Sequence, residues 1–254
     1  MRAAVFSDVH GNLVALDAVL SAAAAENVDE YWIIGDHVAH GPQPAEVLDR
    51  IKQLPSVRAV RGNTDRYVLG GSRSHLIPTA GPGMSLDEVQ LLVDAEASQA
   101  WTRGAVTARG HWEWLAELPV EQRIELADGT PVLLVHASPG RDDGPGITAE
   151  QSEQELLDDR RLRDCGASLV FTGHTHWPCD RQLPGVRAVN VGSVSLPYGQ
   201  NRGATWSLLT SERAGHQLEH RVEPYRLDHV HRAIDSSHHP TPVWLKSKFP
   251  TAPE

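Results

Sequence analysis

Cysteine is nearly absent from this 254-residue chain. Cys165 and Cys179 are too few for a disulfide framework, so both are expected to be reduced. Lysine is as scarce, at positions 52, 246 and 248, and cations as a class are in deficit: 23 Lys and Arg face 33 Asp and Glu, a formal charge of −10. A protein that tracks long nucleic acids wants a basic face, so that partner is disfavoured. A small phosphorylated substrate is not, because a local cation overrides the global sign. Long apolar runs are missing too: no stretch nears the roughly 20 residues of a membrane span. Only seven residues precede Asp8, which leaves no room for a secretory signal before the first polar motif. The cytoplasm is therefore the expected compartment, with no membrane partner. What remains is a 40% hydrophobic chain able to build a core, at the upper edge of one domain in length.

The first third alternates strand and helix. "RAAVFS" (2–7) reads as a short strand, and "NLVALDAVLSAAAAE" (12–26) carries Leu13, Leu16, Val19 and Leu20 at helical spacing. "YWIIGD" is the next strand. "PAEVLDRIKQL" is a helix with Pro44 in its first turn, and "VRAVRGN" is a third strand. A helical insertion is expected over about 70–118. It comprises a Gly/Pro/Ser-rich loop, a helix begun by the Ser85/Glu88 capping box, and a short helix within "TARGHWEWLAEL". Strands follow at 121–126, 131–136, 168–172, 186–191, 204–210 and 216–223, with a helix near 149–163. The Pro-rich tail, 236–254, is expected to be irregular, although Trp244, Leu245 and Phe249 must pack somewhere. The pattern implies one α/β domain, 1–235, built on a mixed sheet or on two packed sheets.

Histidine is plentiful, at 14 residues, and four of these fall at strand ends. "SDVHGN" places Asp8 and His10 one residue apart after the first strand, and "FTGHTH" does the same for His174 and His176. On extended backbone each pair would project to one side. Asp36, Asn63 and His136 end three further strands. Taken singly these are ordinary: a strand-end Asp often caps a turn, Asn after Gly marks a tight turn, and a lone His136 would more often be a core histidine. Their conjunction at five strand ends points to a metal site, because ligands gather at the carboxyl ends of strands in α/β sheets. Two carboxylates, one amide and four imidazoles, with no thiolate, suit Mn, Fe, Zn, Co or Ni rather than a structural zinc site. Seven donors are too many for one tetrahedral ion and about right for two.

In order and spacing, "DVHGN", "GDHVAHG", "GNTD", "VHASP" and "GHTH" resemble the motifs of the calcineurin-like metallophosphoesterases, and of their small bacterial phosphodiesterase branch in particular. "GPQPAEVLDRI" and "NVGSVSLP" extend the likeness, which runs to about residue 235. The resemblance implies an α/β fold of two packed mixed β-sheets flanked by helices. It implies two divalent metal ions, manganese favoured, with Asp8, His10 and His176 on one, Asn63, His136 and His174 on the other, and Asp36 bridging them. It implies hydrolysis of a small phosphodiester, a cyclic nucleotide or dinucleotide being one case, through in-line attack by a hydroxide shared between the ions. Phosphomonoester hydrolysis is the alternative within the same core, and a non-catalytic scaffold is the alternative outside catalysis.

The match departs at Thr64. Many relatives carry a histidine there that resembles an acid for the leaving alkoxide, and threonine cannot give up a proton near pH 7. His40 is the first substitute expected, with His37 and His75 behind it. Asp65 is expected to orient a neighbour or cap a turn. Asn12 is expected near the substrate phosphate or as a helix cap. Arg66 and Arg202 are candidate phosphate holders, and Tyr198 a candidate platform for a nucleobase.

Overall fold

Strand β1 (Arg2–Phe6) is buried on both faces, and the two faces go to different layers of the molecule. The computed structural model describes residues 1–71, 80–198 and 203–249. Ala4 and Phe6 pack outward with Leu16, Val19 and Leu20 of helix α1 (Leu13–Ala25). Ala3 and Val5 point the other way, into a second cluster. Strand β2 (Glu30–Ile34) divides in the same register: Tyr31 and Ile33 join the helix side, Trp32 and Ile34 the inner side. This is the period of two that a strand imposes, and burial on both faces is why these strands read as unbroken apolar runs.

Helix α2 (Pro44–Lys52) follows β2, then β3 (Val57–Val60), and the three strands run parallel. Beyond helices α3 (Asn63–Val68), α4 (Leu86–Ala108) and α5 (Trp112–Glu117) comes the second sheet. Its strands are β4 (Glu121–Glu125), β5 (Pro131–Val135), β6 (Leu169–Thr172), β7 (Cys179–Leu183) and β8 (Val186–Asn190), in the order β4-β5-β6-β8-β7. Strands β5, β6 and β8 are parallel, with antiparallel edges on both sides. The hairpin β9 (Ala204–Glu212) and β10 (Gly215–Glu223) returns to the first sheet, giving β10-β9-β1-β2-β3. Trp32 of one sheet meets Phe171 of the other edge-to-face, ring centroids 6.1 Å apart, at the centre of the shared apolar layer. Leu133, Val135 and Val170 pack on the far face, against Leu156 of α6 (Glu153–Asp158) and Leu162 of α7 (Arg160–Arg163). The fold is thus two mixed five-stranded sheets flanked by helices, the architecture expected.

Several local expectations are corrected. Asn63, read as a tight turn after a strand, is the first residue of α3. The reason is that Asp65 accepts from the backbone N–H of Gly62 and starts a helix there. Helix α4 continues to Ala108 and absorbs the start of the segment expected as a separate short helix; the break falls at Gly110, which is left-handed at φ 70°. Strand β7, unforeseen, alternates exposure along "CDRQL" as a polar edge strand does. The described part of the tail, expected to be irregular, contains a helix. Helix α8 (Leu227–Ser236) leads into α9 (Pro242–Ser247), and Leu245 and Phe249 are buried against Val230 and Ile234. Among the described residues, no helix is long and apolar enough to cross a membrane.

Candidate metal centre

Five parallel strands of the two sheets end on the same side, and each end carries one or two of the anticipated donors. They do not converge by the alternation of extended backbone. Strands β1 and β6 stop at Phe6 and Thr172, and the donors lie in the turns beyond. Asp8, His10, Asp36, His174 and His176 all adopt left-handed backbone, with φ of 58°, 48°, 51°, 69° and 60°. Such a conformation costs about 1–2 kcal/mol for a residue with a Cβ, and clusters of this kind occur where geometry serves a site. Hydrogen bonds between turns hold it: Asp8 N–H donates to Gly35 O at 3.1 Å, His10 N–H to Asp36 O at 2.9 Å and Gly173 N–H to His136 O at 2.9 Å. Gly62 and Gly173 are required by close approach. A Cβ on Gly62 would lie 2.1 Å from Asp36 Oδ1, and one on Gly173 2.4 Å from Asp8 Oδ2.

The side chains converge tightly. His176 Nε2 lies 3.1 Å from both Asp8 Oδ1 and His10 Nε2. Asp36 Oδ2 stands 3.7 Å from His10 Nε2 and 3.4 Å from His136 Nε2. Asn63 Oδ1 lies 3.0 Å from His136 Nε2 and 2.9 Å from His174 Nδ1. The other nitrogen of three rings is committed elsewhere: His136 Nδ1–H donates to Ile34 O at 2.6 Å, His174 Nε2–H to Gly144 O at 2.8 Å, and His176 Nδ1–H to Leu196 O at 3.0 Å. Each such bond fixes a ring's tautomer and orientation, leaving its remaining nitrogen aimed inward. The carboxylates are tied likewise. Asp36 Oδ1 accepts from Thr64 N–H at 2.8 Å and Asp8 Oδ2 from His174 N–H at 3.0 Å.

What faces the centre is therefore a cluster of carboxylate oxygens and imidazole nitrogens. Asp8 Oδ1 is buried with no hydrogen-bond partner among the described residues. Burial alone would raise Asp8, yet the imidazoles of His176 and His136 pull it far below the ordinary carboxylate range. His136 moves oppositely: against burial, Asp36 and Asp8 draw it up to about 10. His176 is also raised, Asp8 outweighing burial. Burial and the neighbouring His176 push His10 well down, and burial and His136 push His174 down. An orphaned buried carboxylate oxygen amid imidazole nitrogens is a donor set that fits divalent cations of the oxygen- and nitrogen-binding kind. Among the described residues, Asp8 with His10 and His176, and Asp8 with Asp36 and His136, form groups whose donor atoms lie close enough to share an ion. Cys165 and Cys179 pack instead with the apolar cluster behind the second sheet.

The remaining expected residues divide. Asp65 is buried and accepts from the backbone N–H of His37, Val38 and Gly62, and from His37 Nδ1 at 2.8 Å. It positions the turn after β2, and His37 is consumed in that pair. Thr64 Oγ1 donates to Val38 O at 3.1 Å and is not offered to a substrate. Asn12 is a buried helix cap, one of the two placements expected for it, accepting from Ala15 N–H at 3.1 Å and donating to Ser195 Oγ at 3.2 Å. Arg66 is engaged by Asp142, through Nε at 2.9 Å and Nη2 at 3.0 Å, and by Asp143. At His40 burial, then the charges of Lys248 and His176, push the imidazole down to about 3. Tyr198 is 60% exposed, its ring 6.0 Å from that of His176 and stacked on Trp177. Arg202 and His75 lie outside the described residues.

Sequence reading missed the supports. Asn190 Nδ2 donates to Gly173 O at 2.7 Å and Thr175 Oγ1 at 2.9 Å, clamping the turn that carries His174 and His176. Ser193 Oγ donates to Asp8 O at 3.0 Å. The "NVGSVSLP" stretch was the available signal, and the reason it matters is this bracing of the metal turns.

Comparison with known proteins gives the family and the fold. The family profile of the calcineurin-like phosphoesterase superfamily domain matches residues 1–213. The uncharacterised protein MJ0912 of Methanocaldococcus jannaschii is 29% identical over 195 residues, covering 76% of this chain and 70% of the relative. A protein named phosphodiesterase YfcE, of Escherichia coli, is 26% identical over 221 residues, covering 84% and 89%. The crystal structure of a metallophosphoesterase from Sphaerobacter thermophilus superposes with a TM-score of 0.73 at 24% identity, over 98% of both chains, and so shares the fold.

Proposed function

Because this chain belongs to the calcineurin-like phosphoesterase superfamily, we propose that it hydrolyses a small phosphodiester with two divalent metal ions, manganese favoured. Asp8, His10 and His176 would hold one ion, and Asn63, His136 and His174 the other. Asp36 would bridge them: its Oδ2 lies between His10 of the first set and His136 of the second. The observation that carries the reading is Asp8 Oδ1, buried where the Nε2 atoms of His176, His10 and His136 lie 3.1, 3.7 and 3.9 Å away. Bound there, the ions would supply positive charge in excess of the two carboxylates, to draw in a phosphate anion and acidify an attacking water.

The chain's own residues narrow the substrate. Tyr198 and Trp177 expose a nearly parallel aromatic pair beside His176, with 14° between ring planes, suited to a planar group such as a nucleobase on the ester. Among the described residues expected as the acid for the leaving group, Thr64 donates to Val38 O, and burial with the charges of Lys248 and His176 lowers His40. The enzyme should therefore favour esters whose leaving group departs unprotonated. The test is to strip the protein with chelator, reload it with Mn²⁺, and compare bis(p-nitrophenyl) phosphate with p-nitrophenyl phosphate. Faster turnover of the diester supports the reading. Preference for the monoester replaces it with a phosphomonoesterase, and inactivity with every metal ends the catalytic reading.

A further inference from the structure

Helix α3 presents Asn63 to the centre, and four residues on, on the same face, it carries Tyr67. The Tyr67 ring is buried, and its hydroxyl donates to Asp143 Oδ2 at 2.5 Å. The side chain of Asn63 bears on the same hydroxyl. Asp143 belongs to the loop that leaves β5 after His136. Its Oδ1 accepts from Gly144 N–H at 2.8 Å, and Gly144 O accepts from His174 Nε2–H at 2.8 Å. The other ring nitrogen, His174 Nδ1, lies 2.9 Å from Asn63 Oδ1. A closed circuit of contacts thus leaves α3 at Tyr67 and returns to it at Asn63, passing through Asp143, Gly144 and His174.

The rest of the loop is pinned elsewhere. Asp142 accepts from Arg61 Nε at 3.3 Å and from Arg66 Nε at 2.9 Å, and Asn190 Nδ2 donates to Ile147 O at 3.0 Å. Between those points the backbone is exposed at Gly144 and Pro145. There the Asp143 carboxylate is the brace: Tyr67 holds it directly, and Arg66 Nη2 adds a longer contact at 3.3 Å.

The position of Gly144 O matters because His174 faces two acceptors. A neutral imidazole carries one N–H, so the acceptor that takes it decides which nitrogen keeps a lone pair. With Gly144 O in place the hydrogen sits on Nε2, and Nδ1 is free to act as a ligand. Were that carbonyl to drift, the hydrogen would transfer to Nδ1 and point at Asn63 Oδ1, closing two donors of the centre to a cation at once.

We propose that Tyr67 is a positioning residue of the candidate centre: by holding Asp143 it places the Gly144 carbonyl that selects the ligating tautomer of His174. The inference rests on the two-metal reading and extends it from the ligands to the group that readies one of them. Tyr67 itself touches neither the ion nor the substrate in this role.

The test reads tautomer and metal separately on the full chain. In metal-free protein near pH 8, nitrogen-15 spectra of the histidine side chains distinguish Nε2–H from Nδ1–H rings. His174 is expected as Nε2–H in wild type. Tyr67→Phe should raise its Nδ1–H share about tenfold, the scale of one hydrogen bond to a charged group. His176, whose Nδ1 is held by Leu196 O, should not change. Asp143→Ala should act as Y67F does, and the double variant should go little further than either, because the two residues act as one unit. Asp143→Asn keeps an acceptor for the hydroxyl and should restore most of the wild-type tautomer. In Mn²⁺ titrations followed by paramagnetic resonance, two neighbouring ions give a coupled spectrum and a lone ion an uncoupled one. Y67F should raise the concentration at which coupling appears by about tenfold, leaving uptake of the first ion unchanged. A His174 tautomer that Y67F leaves as in wild type overturns the proposal. So does an equal disturbance of His174 and His176, or an equal weakening of both ions, which would mark a general loosening of the fold. Should Y67F fail to fold, D143A against D143N carries the same comparisons. Should wild type take up fewer than two ions, the two-metal reading fails by itself, and the metal-free spectra alone decide: a change confined to His174 supports the role of Tyr67, and none overturns it.

Discussion

Metal loading should be coupled to proton release, and His136 sets the size of the effect. In the metal-free protein its ring sits 3.4 Å from Asp36 and 3.9 Å from Asp8, and those carboxylates overcome burial to draw it from 6.5 to about 10. That change corresponds to about 5 kcal/mol in favour of the charged ring. The sign follows from a folded value above the unfolded one. The contribution to metal-free stability is complete below pH 6.5 and is lost as pH rises through about 10. A cation entering the site must displace this proton, because a ligating imidazole is neutral. At pH 8 the ring is almost wholly protonated, so Mn²⁺ binding should release about one proton or more per molecule. Apparent affinity should rise about tenfold per pH unit between 7 and 9. Titration calorimetry in buffers of differing ionisation enthalpy measures both. Metal-free protein should also lose melting temperature over the same range, while loaded protein holds it. Mn²⁺ binding at pH 8 without proton release, or affinity flat with pH, would refute the coupling and the placement of His136 as a ligand.

Gly62→Ala would set a Cβ 2.1 Å from Asp36 Oδ1, so it should sharply reduce bound metal in a folded protein; full metal content by elemental analysis would contradict this. Asp65→Ala removes a buried carboxylate from His37 and three backbone donors and should cost about 3 kcal/mol or more in urea unfolding. A loss under 1 kcal/mol would mean that the turn after β2 is held by other contacts. Trp32→Ala empties the layer between the sheets and should cost about 3–5 kcal/mol, read by the same unfolding curves. Thr64→His should raise turnover of alkyl phosphodiesters more than aryl ones; an equal change in both would show that leaving-group protonation is not what this position lacks.

Much of the layout was legible because burial on both faces writes parallel strands as apolar runs, and because each run here ends in Gly, Asp, Asn or His. The donors could be named for the same reason. The path by which they meet was not legible. Alternation on extended strands was the expected route, yet Asp8, His10, His174 and His176 converge from left-handed turns beyond the strand ends. Those turns hold because Gly35, His136 and Asn190 reach them from distant parts of the chain. Charge type was readable at Arg66 and His40, but availability was not: Asp142, 76 residues away, occupies one, and burial beside Lys248 empties the other of its proton. The tail looked irregular because a six-residue helix carries little local signal, and its burial comes from Val230 and Ile234. By itself the sequence determined the strands other than β7, their polar ends and the kinds of donor, since these depend on neighbours along the chain. Only the tertiary structure decided which donors face one another, which cations are spent and what walls the site, because desolvation and pairing are set by residues far apart in the chain and close in space.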